Sequence, residues 1–221
     1  MKKISKILAF SLALVSLLTG SILLSGCTTK TQEKDPAKGV TVLSTLLNNM
    51  LDTDFLVTSE YDDEGQAILA SMLYDADKKI MYVNNTDGED YNFEAYTWVN
   101  GNYWFDAEDE EVEYGGTISK YHISSWEDVV FERLMLSKDI PSNAQVTIVD
   151  NNYVFTETYV EEGTVFTHKI TYSDNAIVKI EQSTATYSVA YIFNTSTYIN
   201  LTVPADYKAL ESNAIESEYE F

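Results

Sequence analysis

Tyr96-Thr97-Trp98-Val99-Asn100-Gly101-Asn102-Tyr103-Trp104-Phe105 decides how this chain is read. Aromatic and β-branched residues, which suit a pleated and half-buried surface, stand on both sides of Asn-Gly. Asn and Gly tolerate positive φ, so the dipeptide predicts a type I′ hairpin between two antiparallel strands. Outward from it the hydrophobic period stays at two. Strand-like runs cover about 54–61, 66–75, 79–85, 90–98 and 103–113. Turn-forming links join them: Asp62-Asp63-Glu64-Gly65, Asp75 to Lys79, and Thr86-Asp87-Gly88. Links this short make neighbouring strands antiparallel, so the first half reads as a meander.

A second set of strand-like runs follows at about 145–149, 152–161, 164–173, 176–182, 185–194 and 197–203, and Pro204 ends the last. Two helices interrupt the strands. The first begins at Asp35-Pro36, an N-cap followed by proline at the first helical position, or nearer Thr41, because Gly39 weakens its start. Val40, Leu43, Leu46, Leu47, Met50 and Leu51 give it one apolar face. The second follows Ser124, which with Glu127 matches a capping box. Trp126, Val129, Val130, Phe131, Leu134 and Met135 supply its apolar face, and Pro141 blocks continuation. The pattern is an α+β domain over residues 39–207, and the acidic stretch 208–221 is expected to be a frayed, flexible tail.

The N-terminus has another character. Lys2, Lys3 and Lys6 precede an apolar run from Ile7 to Leu24, the layout of a secretory signal. It ends in Leu24-Ser25-Gly26-Cys27, which resembles the lipobox of bacterial lipoproteins. That resemblance implies removal of residues 1–26, a lipid on the Cys27 sulfur, and a lipidated tether over 27–38 on the extracytoplasmic face of the cell membrane. Two or three acyl chains make a stable anchor where one does not. Cys27 is the only cysteine, so no disulfide supports the fold.

The formal net charge is −21, and loss of the three leader lysines deepens it. Such a domain is repelled by phosphate backbones and by an anionic membrane surface, which excludes nucleic acid as a partner and holds the domain off the bilayer. No cofactor is expected, and a monomer is favoured.

The order of anchor, helix, five strands, helix and six strands resembles the lipoprotein-carrier folds: the outer-membrane lipoprotein carrier and receptor, and the glycolipid-carrying lipoproteins of mycobacteria. Tyr187-Ser-Val-Ala-Tyr-Ile-Phe-Asn194 and Ile199-Asn-Leu-Thr-Val-Pro204 are similar to their closing strands. The resemblance implies a single curved antiparallel sheet of about eleven strands, a half-barrel, with two helices against its concave face and room for an acyl chain between them. It carries over no functional residue except Cys27.

Several strands are apolar on both faces, which demands two covers. A filled core meets that demand, and so does a groove holding a lipid or other apolar ligand. Phe93, Phe105, Trp126, Phe131, Phe155 and Phe193 are the candidate groove lining. The alternative function is an interaction module that recognises a protein or glycan through Tyr96, Trp98, Tyr103 and Trp104 around the hairpin. Catalytic and metal chemistry find no constellation. His122 and His168 lack ligand spacing, and no Gly-x-Ser-x-Gly elbow occurs. His168 alternates with Phe166 and Ile170, which puts it at an inward or edge position. The acids of Asp106 to Glu111, like those of Asp62-Asp63-Glu64 and Asp87-Gly88-Glu89-Asp90, read as solvated edges rather than calcium loops. The chain is therefore expected to be non-enzymatic.

Overall fold

The computed structural model describes residues 34–63, 66–87, 91–140 and 144–219. The leader, Cys27 and most of the tether lie outside the described residues, as do the tips of the turns at 64–65 and 88–90.

Twelve strands make one open, curved sheet. They are β1 (Phe55–Asp63), β2 (Gln66–Asp75), β3 (Ile80–Asp87), β4 (Tyr91–Asn100), β5 (Tyr103–Glu108) and β6 (Ser119–His122), then β7 (Gln145–Val149), β8 (Asn152–Glu161), β9 (Thr164–Tyr172), β10 (Ile177–Ser183), β11 (Ser188–Asn194) and β12 (Ile215–Glu216). Their spatial order is β12-β6-β5-β4-β3-β2-β1-β11-β10-β9-β8-β7. Chain neighbours pair antiparallel within each half, and β1 joins the halves by pairing with β11 from Leu56↔Asn194 to Asp62↔Ser188. Among the described residues the one parallel pair is β12 on β6.

Among the described residues, four α-helices accompany the sheet: α1 (Pro36–Asn49), α2 (Asp109–Tyr114), α3 (Trp126–Arg133) and α4 (Ala205–Ala209). The α1 start falls at Pro36, where the Asp35 carboxylate accepts from Ala37 N–H at 3.0 Å. Gly39 does not delay it. A Cβ there would come within 2.5 Å of Val146 Cγ1 and 3.0 Å of the Tyr153 ring, so glycine is what lets α1 lie close on β7 and β8.

Three local expectations need correction. The hairpin loop is Gly101-Asn102, between paired Asn100 and Tyr103, and only Gly101 has positive φ (64°), the pattern of a type II′ turn. The type I′ pattern, with both loop residues at positive φ, occurs at Asp150-Asn151 and Glu162-Gly163 instead. The Ser124–Glu127 capping box does not form, because Ile123–Ser125 is a 3-10 turn in which the His122 ring accepts from Ser124 N–H. The capping box lies at Glu108 and Glu111, which open α2 within the stretch expected to continue β5 to residue 113.

The strand count changes for related reasons. Residues 197–203 form no strand, while β6 and β12 add two. The stretch after 207 is not a frayed tail. Past Pro204 it forms α4, a 3-10 turn (Leu210–Asn213) and β12, with Ile215 N–H donating to the Ile118 carbonyl at 3.0 Å.

The core has two parts, one on each face. On one face α1 and α3 pack Leu43, Leu47, Trp126, Val130 and Phe131 against Phe55, Tyr74, Met81, Trp104 and Phe155. On the other, Tyr207 and Leu210 cover Ile80, Trp98, Phe105 and Ile118.

Candidate functional site

Strand register arranges the inward side chains of β8, β9 and β10 in rows. Phe155 stands opposite Ile170, and Ile170 opposite Ile180. One step outward, Glu157 stands opposite His168, and His168 opposite Gln182. The next row holds Tyr159 and Phe166, whose rings stack 5.3 Å apart. One face thus changes from apolar to polar over a few residues, because each strand keeps its period of two while its residue types change.

Two elements lie across these rows. From one side α1 presents Leu43 and Leu47, both buried. The other is the segment that leaves α3. Leu136 N–H donates to the Phe131 carbonyl at 2.8 Å and Met135 N–H to the Glu132 carbonyl at 2.9 Å, which is a Schellman closure. Its left-handed residue is Met135 (φ 54°), where glycine is usual. The closure turns the chain so that residues 136–140 border the strands.

Between α1, this segment and the rows lies a cavity of about 360 Å³. Leu43, Leu47, Leu136, Ile140, Phe155 and Ile170 form its apolar wall, and Glu132, Asp139, Glu157, Tyr159, His168 and Gln182 its polar side. That volume falls within the range of small-molecule sites, roughly 300–1,000 Å³. A smaller cavity of about 180 Å³ lies along the opposite flank of α1, against Leu46, Met50, Phe55, Ile177 and Phe193.

His168 is the most unusual group in the larger cavity. The side chain is 9 % exposed, and Nε2 is buried with no hydrogen-bond partner. Burial holds its pKa below the ordinary imidazole value, although a hydrogen bond to the Met135 backbone acts the other way. Gln182 Nε2 donates to Tyr159 Oη at 2.6 Å, which engages one of its two N–H donors.

The expected groove residues divide. Phe155 lines the larger cavity and Phe193 the smaller one. Phe131 borders a recess on the other side of the 136–139 segment, with Lys138 Nζ 5.5 Å above its ring. Trp126 is buried in the core, and Phe93 is half-buried on β4, in the other half of the sheet. Phe105 is a correction. On β5 it alternates with the inward Trp104, so it points to the opposite face and packs beneath the C-terminal segment. Periodicity pointed to His168 as an inward or edge position. Residues 136–140 carried no such signal, since a loop has no period.

The hairpin aromatics are also corrected as an exposed recognition surface. Trp98 is 2 % and Trp104 1 % exposed. The C-terminal segment takes up the others: Tyr96 meets Tyr207 edge-on at 4.9 Å, and Tyr103 donates to Glu216 at 3.1 Å. Of the acidic run, Asp106 pairs with Arg133 and accepts from Thr97 at 2.7 Å. Among the described residues no three His, Cys, Asp or Glu side chains are grouped to hold a metal ion.

No family model matches the chain, and no curated protein matches it. Among solved structures, a crystal structure of LprF from Mycobacterium bovis aligns at a TM-score of 0.40 and 9 % identity, over 77 % of this chain and 98 % of that one. A structure of PNGF-II aligns at 0.30 and 10 % identity, over 76 % of this chain and 32 % of that one.

Proposed function

We propose that this chain is a non-enzymatic envelope lipoprotein, anchored by lipid on Cys27, that holds an apolar ligand between α1, the 134–140 segment and β8–β10. The observation that supports it is the 360 Å³ cavity, walled by Leu43, Leu47, Phe155 and Ile170 and placed on the face that the helices only partly cover. Burial of an apolar chain against such walls is favourable by roughly 25 cal/mol for each Å² removed from water. Among the described residues the site offers no grouped metal ligands. Its only histidine lacks a hydrogen-bonded hydroxyl that it could activate.

Native mass spectrometry of the purified chain, followed by solvent extraction, tests the reading. Adduct masses and extracted lipid are expected. A clean apo mass, with no thermal stabilisation by added acyl chains, would count against it. The anchor is tested separately: Cys27→Ala should lose labelling by a fatty-acid probe and escape normal cleavage, and continued labelling would refute the assignment.

A further inference from the structure

We infer that the larger cavity takes an apolar chain with a cationic head, an amine or quaternary ammonium, whose charge Glu157 and Asp139 balance. This rests on the reading of that cavity as a ligand site and adds the chemistry of the head group. The apolar walls make the site: Leu43 and Leu47 of α1 lie across from Phe155 and Ile170. The carboxylates set what its polar side accepts. Glu157 is the next inward residue after Phe155 on β8, so a chain laid on that wall brings its head beside a half-buried anion. Asp139 borders the cavity from the 136–140 segment. Among the described residues neither carboxylate has a hydrogen-bond or ion-pair partner. An anion drawn partly out of water favours a counter-charge.

The protein does not supply that counter-charge itself. Among the described residues the cavity lining holds no lysine or arginine, and Glu132 adds a third acid. The nearby Lys138 pairs with Glu127 and lies over the Phe131 ring, in the recess beyond the segment. Burial lowers the His168 pKa, so that ring is uncharged at neutral pH. A carboxylate head would therefore enter a negative field, whereas a cation gains from it. The smaller cavity is the internal contrast, because no charged residue lines it.

The test uses the intact purified chain and three probes of equal chain length: dodecylammonium, dodecanol and dodecanoate. Each is titrated against bound N-phenylnaphthylamine at neutral pH and low ionic strength. Dodecylammonium should displace the dye about tenfold more tightly than dodecanol, the factor given by two partly exposed ion pairs of ordinary strength, and dodecanoate should be weakest. The double variant Glu157→Gln with Asp139→Asn should bind dodecanol as before and lose most of the preference. Glu110→Gln with Glu113→Gln removes the same charge from exposed positions on α2 and should keep it, which separates a local site from the general attraction of an acidic protein for cations. Equal binding of amine and alcohol, strongest binding of dodecanoate, or a preference that the two double variants change alike overturns this inference and leaves the cavity reading standing. Failure of all three probes to displace the dye overturns both.

Discussion

On either side of the β1–β11 seam the sheet is made of similar strands, yet the two flanks are finished differently. In β3–β6 both faces are covered. Trp104 packs under Trp126 and Tyr219 on one face, with ring centroids 6.4 and 5.2 Å away. On the other face Trp98 stacks on Phe105 at 5.4 Å and donates Nε1–H to Glu211 at 2.6 Å. Among the described residues nothing covers the outer face of β8–β11 in this way, and Val160, Val165, Val178 and Ile192 are exposed there. The inner face of that flank is covered only in part and holds the cavity. Strand composition does not separate an aromatic that fills a core from one that a ligand could reach. The cover does, and here it comes from segments distant in the chain.

Four changes would break or sharpen that contrast. The largest is deletion of residues 205–221, which strips Tyr207 and Leu210 from the filled flank. It should destabilise the domain by on the order of 5 kcal/mol in urea unfolding. A truncated chain as stable as the intact one would show that the cover is decorative. Trp98→Ala leaves the segment in place but empties its floor, and about 3–5 kcal/mol of stability should be lost. Gly39→Ala acts on the other flank by pushing α1 away from Val146. A loss of about 1–3 kcal/mol is expected, together with weaker dye binding in the cavity. The smallest effect is electrostatic. The His168 pKa is lowered in the folded state, so between that value and the ordinary 6.5 the unfolded chain binds a proton that the folded chain does not. Stability is therefore full above about pH 6.5 and falls as the pH drops below it. His168→Leu should flatten that acid limb in urea titrations from pH 8 to pH 5.5, and an unchanged slope would assign it to the carboxylates instead.

Much of the fold was legible because period two survives in nearly every strand and most connections use recognisable turn residues. What was missed lacked a local signal. Strand β6 is four residues long, and β12 is a two-residue parallel pairing made with a distant partner. The acids at 208–221 read as a solvated tail, although Tyr207 and Leu210, three apart, already marked one apolar face of a short helix. In Asp109–Tyr114 the acids fit a helix start as well as a strand edge, and the Glu108–Glu111 capping box decided between them. Of the site, Phe155 was readable from its neighbours. The unpaired state of His168 was not, because it depends on a loop whose course follows from the closure at Met135.

The seam also bears on how the chain reaches its fold. Apart from the β1–β11 seam and β12 on β6, each strand pair joins neighbours in the chain or, at β5 and β6, strands one short helix apart. The residues paired across β1 and β11 lie about 130 positions apart, a separation of the kind that slows folding. Each meander can form from local contacts as it is synthesised, but β1 keeps one unpaired edge until the chain has been made past Asn194. Through most of synthesis this edge is a template for mispairing. The step that joins the two halves is thus expected to limit the folding rate and to be where a slow or crowded chain goes wrong.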